Sequence, residues 1–157
     1  MSHALYSGSF DPITLGHVDI LRRIRPLYDK LTILVAQAEN KEYLFTPEER
    51  VSLIKESVDF QVDVSCDSGL VVNYAKKVGA QVIIRGIRGV GDMEHEKAMA
   101  QINKKLAPEL ETLIVFASEE YSAVSSRLVK EVVKGGGDLS FMVTDVVEKA
   151  LKRKLLL

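Results

Sequence analysis

Short apolar runs alternate along the chain with segments whose apolar residues recur every three or four positions. The runs read as buried strands, the recurring pattern as helices with one face in a core. Strands are expected at Ala4–Ser7, Leu31–Ala36, Val62–Cys66, Gln81–Arg85 and Thr112–Ala117, the third with one wetter face. Val18, Leu21, Ile24 and Leu27 make a helical stripe over Gly16 to about Lys30, with Pro26 set to kink or shorten it. Thr46-Pro47-Glu48-Glu49 is a helix start: Thr46 as N-cap, Pro47 in the first turn, Glu49 closing a capping box. That helix should carry Val51, Leu53, Ile54 and Val58. A helix over Leu70–Val78 can end at Gly79 in a left-handed conformation. Three more are expected over Asp92–Leu106, Ser125–Lys134 and Val143–Lys154, stopped in the first two cases by Pro108 and by Gly135–Gly137.

Strands alternating with helices imply parallel βαβ units: an α/β fold with a Rossmann-like, doubly wound, five-stranded parallel sheet. Ligands of such folds sit beyond the carboxyl ends of the strands. Three segments should meet there: Gly8–His17, Arg85–Gly91 and Ser118–Ser126.

Composition narrows the class. The 157 residues suit one domain, residues 1–157, able to bury a core without staples. With 46% hydrophobic and 27% charged residues, the chain is globular rather than disordered. Its 21 Lys+Arg against 22 Asp+Glu leave a net charge of −1. That balance argues against a nucleic-acid partner, because such domains are usually strongly basic. Cys66 is the single cysteine, so no intramolecular disulfide forms and no zinc site of several thiolates exists. No apolar stretch approaches the roughly 18 residues that cross a membrane. The start, Met-Ser-His-Ala-Leu-Tyr, does not read as a signal peptide, and a cytoplasmic location is expected. His3, His17 and His95 share no metal-ligand spacing, so no protein-held metal is expected.

The candidate chemistry lies in the three loops. In Gly8-Ser9-Phe10-Asp11-Pro12-Ile13-Thr14-Leu15-Gly16-His17, a phosphate would meet backbone N–H groups and a positive helix end. There is neither a GxGxxG fingerprint nor a GxxxxGK[ST] P-loop. Gly16 allows close approach of a ligand, and His17 in the first helical turn can donate to a phosphoryl oxygen as charge develops there. The plainer alternative for His17 is a bond to a nearby backbone carbonyl. Asp11, before Pro12, is expected to shape the loop through an Asx-type turn, with no catalytic role. Arg85, at the end of an apolar strand, is read either as an ion pair at the sheet edge or as a fork on a phosphate. Arg88 so close behind it favours phosphate. Glu94 and Glu96 read as a solvated helix face. Ser125 and Ser126 suit a helix cap, which is compatible with phosphate binding because the same free N–H groups serve both. Lys41 lies in a polar loop on the same side of the sheet, and the cluster Lys149, Lys152, Arg153 and Lys154 complements a helix dipole.

Gly8-Ser9-Phe10-Asp11-Pro12 with Thr14-x-Gly16-His17 resembles the signature of the nucleotidyltransferase superfamily, and Val124-Ser125-Ser126 its later serine-containing loop. Phe45-Thr46-Pro47-Glu48-Glu49-Arg50, Ile84-Arg85-Gly86-Ile87-Arg88 and Pro108-Glu109-Leu110-Glu111-Thr112 are similar, in sequence and order, to the bacterial phosphopantetheine adenylyltransferase family. The resemblance runs from about Leu5 to Leu151. It implies transfer of the adenylyl group of ATP to 4′-phosphopantetheine, giving dephospho-coenzyme A and pyrophosphate, the penultimate step of coenzyme A synthesis. The acceptor phosphate attacks directly, with no covalent enzyme intermediate, and Mg²⁺ arrives with ATP.

The resemblance also implies roles. His17 contacts the ATP phosphates and stabilises the transition state. Ser9 sits where the two substrates join, and Phe10 meets ATP through its backbone. Lys41 and Arg85 hold the acceptor phosphate, with Val71 near the pantetheine arm. Gly86, Ile87, Arg88 and Glu96 line the ATP site, as do Tyr121, Ser122, Ala123, Val124, Ser125, Ser126 and Arg127. Family members are usually homohexamers. The chain departs from the common pattern at Ser9 (usually Thr), Leu15 (often Asn), His95 (commonly Tyr) and Arg127 (commonly a small hydroxyl residue). Gly89 and Gly91 make the loop after Arg88 more flexible. Two other readings stand beside this one: another acceptor, such as nicotinamide mononucleotide or a cytidylyltransferase substrate, and a nucleotide-binding module without turnover.

Overall fold

The computed structural model describes residues 1–156. Its strands are β1 (His3–Gly8), β2 (Lys30–Ala36), β3 (Asp63–Asp67), β4 (Val82–Ile87) and β5 (Glu111–Phe116). Its α-helices are α1 (Leu15–Ile24), α2 (Pro47–Ser57), α3 (Val71–Val78), α4 (Val90–Leu106), α5 (Ser126–Lys134) and α6 (Asp145–Leu155). The strands pair in parallel in the order β3-β2-β1-β4-β5. The chain therefore winds outward from β1 in one direction and then in the other. The crevice at that reversal, above β1 and β4, is where an open sheet of this kind holds its ligand.

Alternation along the strands divides the core. Tyr6 of β1 aligns with Ile33 of β2 and Ile84 of β4. These three pack with Leu21 of α1, Ile54 of α2, Val129 of α5 and Val147 of α6. Leu5, Leu34 and Ile83 face the other way, against Val72 and Ala75 of α3 and against Ala107 and Leu110. Both faces are buried, which is why the central strands read as unbroken apolar runs rather than as alternating ones.

The caps follow the sequence closely. Thr46 Oγ1 accepts from the Glu49 amide at 3.2 Å, and Glu49 Oε2 accepts from the Thr46 amide at 2.8 Å. Gly79 closes α3 with φ 74°, a left-handed conformation that a side chain would strain.

Several boundaries differ from expectation. Pro26 shortens the first helix, as one of its two expected effects, rather than kinking it: α1 ends at Ile24, six residues before the expected end at about Lys30, and Arg25–Leu27 form a single 3₁₀ turn. α2 stops one residue short of Val58, which is its C-cap. β4 continues two residues past Arg85, and α4 starts at Val90. Gly91 thus belongs to the first turn of α4 rather than to a flexible loop. β3 is shifted by one residue, so Val62 precedes it. Residues Glu119–Tyr121 form a 3₁₀ turn that no apolar period announces.

Candidate active site

A cavity of about 690 Å³ opens at the carboxyl ends of β1 and β4, between α1, α4 and α5. The first of the three sequence segments reaches it through Ser9, Phe10 and His17, the second through Gly86, Ile87 and Arg88, and the third through Val124, Ser125 and Ser126, with Arg127 just beyond. Glu96 and Lys41 line it as well. A second cavity, about 500 Å³, lies at the ends of β1 and β2, lined by Gln37, Tyr43, Gly69 and Leu70 among others. Ser9 and Lys41 belong to both cavities, and Lys41 Nζ donates to Ser9 Oγ at 3.2 Å.

His17 is fixed by its own helix. The Thr14 amide donates to His17 Nδ1 at 3.0 Å, while Thr14 Oγ1 accepts from the His17 amide at 3.4 Å. The ring accepts from a backbone N–H, contrary to the expected alternative of a bond to a carbonyl. With Nδ1 committed as acceptor, the proton of the neutral ring sits on Nε2. Burial lowers the His17 pKa to about 4, helped by the positive charges of Arg88 and Arg85. The ring is therefore neutral at pH 7 and offers one N–H donor. Its edge packs on Phe10, with ring centroids 5.0 Å apart.

Phe10 has φ 47°, the left-handed region, and its ring is buried against Tyr6 and His17. This turn sends the loop outward from β1 while the side chain stays in the core. Asp11 does not make an Asx turn. Its buried carboxylate accepts the Leu44 and Phe45 amides at 2.9 Å each, and Lys130 pairs with it at 3.2 Å. Asp11 thus ties the β1–α1 loop to the entry of α2 and to α5; the Asp11–Pro12 bond is cis.

The wall formed by α5 is anchored in the same way. Ser125 Oγ caps the helix by accepting the Leu128 amide at 3.1 Å. Ser126 Oγ donates to the Pro12 carbonyl at 2.7 Å. The helix N-terminus, with its free N–H groups and partial positive charge, faces the cavity. Arg127 is mostly exposed and held only by Glu131, at 3.1 Å.

Gly86 has a packing reason: an added Cβ would lie 2.6 Å from Ile20 Cδ1 and 3.0 Å from the Tyr6 hydroxyl. Gly16 has none of comparable force. A Cβ there would meet Thr14 and Tyr121 at an ordinary 3.5 Å, and Gly16 lines the cavity.

Arg85 makes the ion pair, one of its two expected roles, but not at a sheet edge. It lies inside β4, and β4 is an interior strand rather than an edge. Its Nε and Nη2 fork the two oxygens of Glu96 at 2.8 Å each, and Nη1 donates to the Ser7 carbonyl at 2.6 Å. Glu96 is buried, not solvated. The carboxylate in turn raises the Arg85 pKa above its ordinary value. Arg88 is paired with Asp92, whose Oδ2 accepts the Arg88 amide at 3.0 Å.

Tyr121, Ser122, Ala123 and Val71 do not line the large cavity. Tyr121 belongs to the 3₁₀ turn and packs beside Gly16, Ser122 Oγ donates to the Glu119 carbonyl, and Ala123 is exposed. Val71 begins α3, next to Leu70 of the second cavity. His95 lines the large cavity in spite of its departure from the family pattern. Sequence reasoning missed Lys130, Asp92 and Arg50. Arg50 was detectable: it precedes Leu53 and Ile54 by three and four residues, so it lies on the core-facing stripe of α2.

A parallel sheet wound 3-2-1-4-5, a histidine donor in the first turn of α1 and a serine-capped α5 opposite it define a nucleotidyltransferase. Residues 5–132 match the model of the cytidylyltransferase-like family, to which the chain belongs. Within it, the chain belongs to the phosphopantetheine adenylyltransferases. It is 53% identical to the phosphopantetheine adenylyltransferase of Bdellovibrio bacteriovorus, over 97% of this chain and 96% of the relative. The enzymes of that name from Thermotoga neapolitana and Alkaliphilus metalliredigens are 50% and 46% identical, over 97% and 98% of this chain and 96% and 99% of theirs.

Solved structures agree on the fold. A Vibrio parahaemolyticus protein described as a nicotinate-nucleotide adenylyltransferase superposes with a TM-score of 0.65 at 15% identity, covering 98% of this chain and 93% of its own. The lipopolysaccharide core biosynthesis protein of Thermoplasma volcanium superposes with a TM-score of 0.54 at 25% identity, covering 75% of this chain and 97% of its own.

Proposed function

We propose that the protein transfers the adenylyl group of ATP to the phosphate of 4′-phosphopantetheine, releasing pyrophosphate and dephospho-coenzyme A, the penultimate step of coenzyme A synthesis. The observation that carries this reading is the meeting of the two cavities at Ser9 and Lys41. ATP takes the larger cavity and the pantetheine arm the smaller, past Val71. The acceptor phosphate then lies at the junction, on Lys41 and Ser9, with Arg85 behind it. Arg85 retains one N–H, on Nη2, beyond the four given to Glu96 and Ser7, because a guanidinium carries five.

A non-bridging oxygen of the acceptor phosphate attacks the α-phosphorus of ATP. The bond from that phosphorus to the α–β bridging oxygen breaks, and pyrophosphate leaves with the electron pair. No protein atom becomes covalently bonded. The Nε2–H of His17 donates to the α-phosphate oxygen on which charge builds, from a fixed position set by its bond to Thr14. Arg88, the N-terminus of α5 with Ser125 and Ser126, and Arg127 hold the triphosphate, while the main chain of Phe10 and the Gly86–Ile87 segment contact the nucleotide. Glu96 acts through Arg85. Tyr121, Ser122 and Ala123 support the loop that carries Val124 into the cavity.

Mg²⁺ comes with ATP and neutralises phosphate charge. The donor set suits a nucleotide-borne metal: the cavity carboxylates Asp11, Asp92 and Glu96 are each paired with a cation, Lys130, Arg88 and Arg85 respectively. Among the described residues, no group of three or more His, Cys, Asp or Glu could hold a metal ion.

A homohexamer is the proposed assembly. α4 buries only Glu96, and its Met93, Met99, Ile102 and Leu106, together with Leu113 and Phe116 of the edge strand β5, are exposed. Apolar surface of this extent on one helix and its neighbouring strand suits contact with further copies. No described helix is long and apolar enough to cross a membrane, and a cytoplasmic location is proposed.

Incubation with ATP, Mg²⁺ and 4′-phosphopantetheine should yield dephospho-coenzyme A by mass spectrometry. With a chiral α-phosphorothioate of ATP, the configuration at phosphorus should invert. Absence of the product contradicts the reaction; retention of configuration contradicts direct attack.

A further inference from the structure

We infer that Arg50 is a positioning residue for the acceptor phosphate, acting through Ser9 and Tyr43; the inference rests on the acceptor reading above. Arg50 is 0% exposed, the only arginine or lysine among the described residues to be buried. No carboxylate oxygen lies within 4.0 Å of its guanidinium among those residues. Nη1 donates to the Ser9 carbonyl at 2.9 Å, and Nη2 donates to Gln37 Oε1 at 3.1 Å. Nε is buried with no acceptor among the described residues. The guanidinium lies over the ring of Tyr43, 4.1 Å from its centre. Lys41 Nζ is 5.4 Å from the centre of the same ring. The Tyr43 hydroxyl accepts the Ala38 amide at 2.9 Å.

Burying a charge without an opposite charge is costly, and a purely structural residue on this core-facing stripe would be apolar at lower cost. Arg50 supplies two things that an apolar residue cannot. Its fork joins Ser9, just past β1, to Gln37, just past β2, across the mouth of the acceptor cavity. That bond fixes the Ser9 peptide, whose hydroxyl receives Lys41 Nζ. Its unpaired charge also raises the potential beneath Ser9 and Lys41, where a phosphate bearing two negative charges would complete the balance. Lys41 is exposed and well solvated, so the buried guanidinium sets the field there as well as the geometry.

The test uses the full chain, with titration calorimetry and steady-state kinetics on wild type, Arg50→Met, Arg50→Lys, Tyr43→Leu and Lys41→Met. Arg50→Met should raise both Kd and KM for 4′-phosphopantetheine by about tenfold or more, with KM for ATP within about threefold of wild type. Arg50→Lys keeps the charge and should recover part of the acceptor affinity, which a merely structural role would not do. Tyr43→Leu keeps Arg50 and removes its platform, and should raise acceptor KM without moving that of ATP. It stands in if Arg50→Met does not fold, and an unchanged acceptor KM in it would then overturn the inference. Acceptor Kd within about twofold of wild type in Arg50→Met, or equal weakening of both substrates, overturns it too. If wild type binds no 4′-phosphopantetheine, or Lys41→Met binds it as tightly as wild type, the acceptor reading itself fails. If Lys41→Met weakens binding and Arg50→Met does not, only the role of Arg50 falls.

Discussion

Thr14 and His17 cap one another: the Thr14 amide donates to Nδ1 of His17 at 3.0 Å, and Thr14 Oγ1 accepts the His17 amide at 3.4 Å. A capping box normally ends in Glu or Gln, and here an imidazole does that work. The pairing locks the ring, assigns its proton to Nε2 and aims a neutral donor from the first turn of α1. One interaction thus links a local helix rule to the chemistry of the site.

His17→Ala should lower kcat by roughly 10²–10³-fold, the usual loss for one donor to a developing oxyanion, with much less change in ATP affinity. Loss of the bond from the Thr14 amide to Nδ1 adds about 1 kcal/mol of destabilisation, while Thr14 still caps the helix. Turnover and ATP titration on the same preparation check this. If ATP binding collapses in step with rate, His17 is a ground-state ligand and the transition-state role is wrong.

His17 should titrate near pH 4, followed through its ring carbon proton by NMR. The sign follows from the lowered folded-state value. The unfolded chain, with a histidine near 6.5, binds a proton that the folded ring refuses between about pH 6.5 and 4. Stability from this group is present above pH 6.5 and is lost as pH falls toward 4. A midpoint near 6.5 in the folded protein would mean an imidazolium at the site near neutrality, contrary to the donor assigned here.

Arg85→Ala should weaken 4′-phosphopantetheine far more than ATP. It also strands the buried carboxylate of Glu96, at a cost of about 3–5 kcal/mol in stability. The double variant Arg85→Ala/Glu96→Gln should regain much of that stability without regaining acceptor affinity. Calorimetric melting and acceptor titration separate the two effects. Equal weakening of both substrates by Arg85→Ala would remove Arg85 from the acceptor site.

The order of elements, the Thr46–Glu49 capping box and the three converging loops follow from local patterns that a sequence displays. Thr46 with Glu49, Gly79 and Ser125 cap their helices as their spacing implies, because a cap depends on residues within one turn. Partnerships across the sheet are of another kind. Asp11 with Lys130, Arg85 with Glu96 and Arg50 with Ser9 join residues separated by 119, 11 and 41 positions. Each depends on the strand order and on which helix face turns inward. An Asx turn for Asp11 and a solvated face for Glu96 were the locally cheaper readings, and tertiary contacts override both. The family resemblance supplied the roles of Lys41 and Ser9; the structure adds that both residues line two adjoining cavities.

Pyrophosphate release from ATP and Mg²⁺ should be followed with 4′-phosphopantetheine, unphosphorylated pantetheine and nicotinamide mononucleotide in parallel. Release with 4′-phosphopantetheine alone is the predicted result, since the acceptor phosphate is proposed to lie at the junction of Ser9 and Lys41 and the pantetheine arm in the adjoining cavity. Release with nicotinamide mononucleotide, or equally with pantetheine, would contradict the acceptor assigned to that junction. No release with any acceptor, despite ATP binding, would contradict turnover itself.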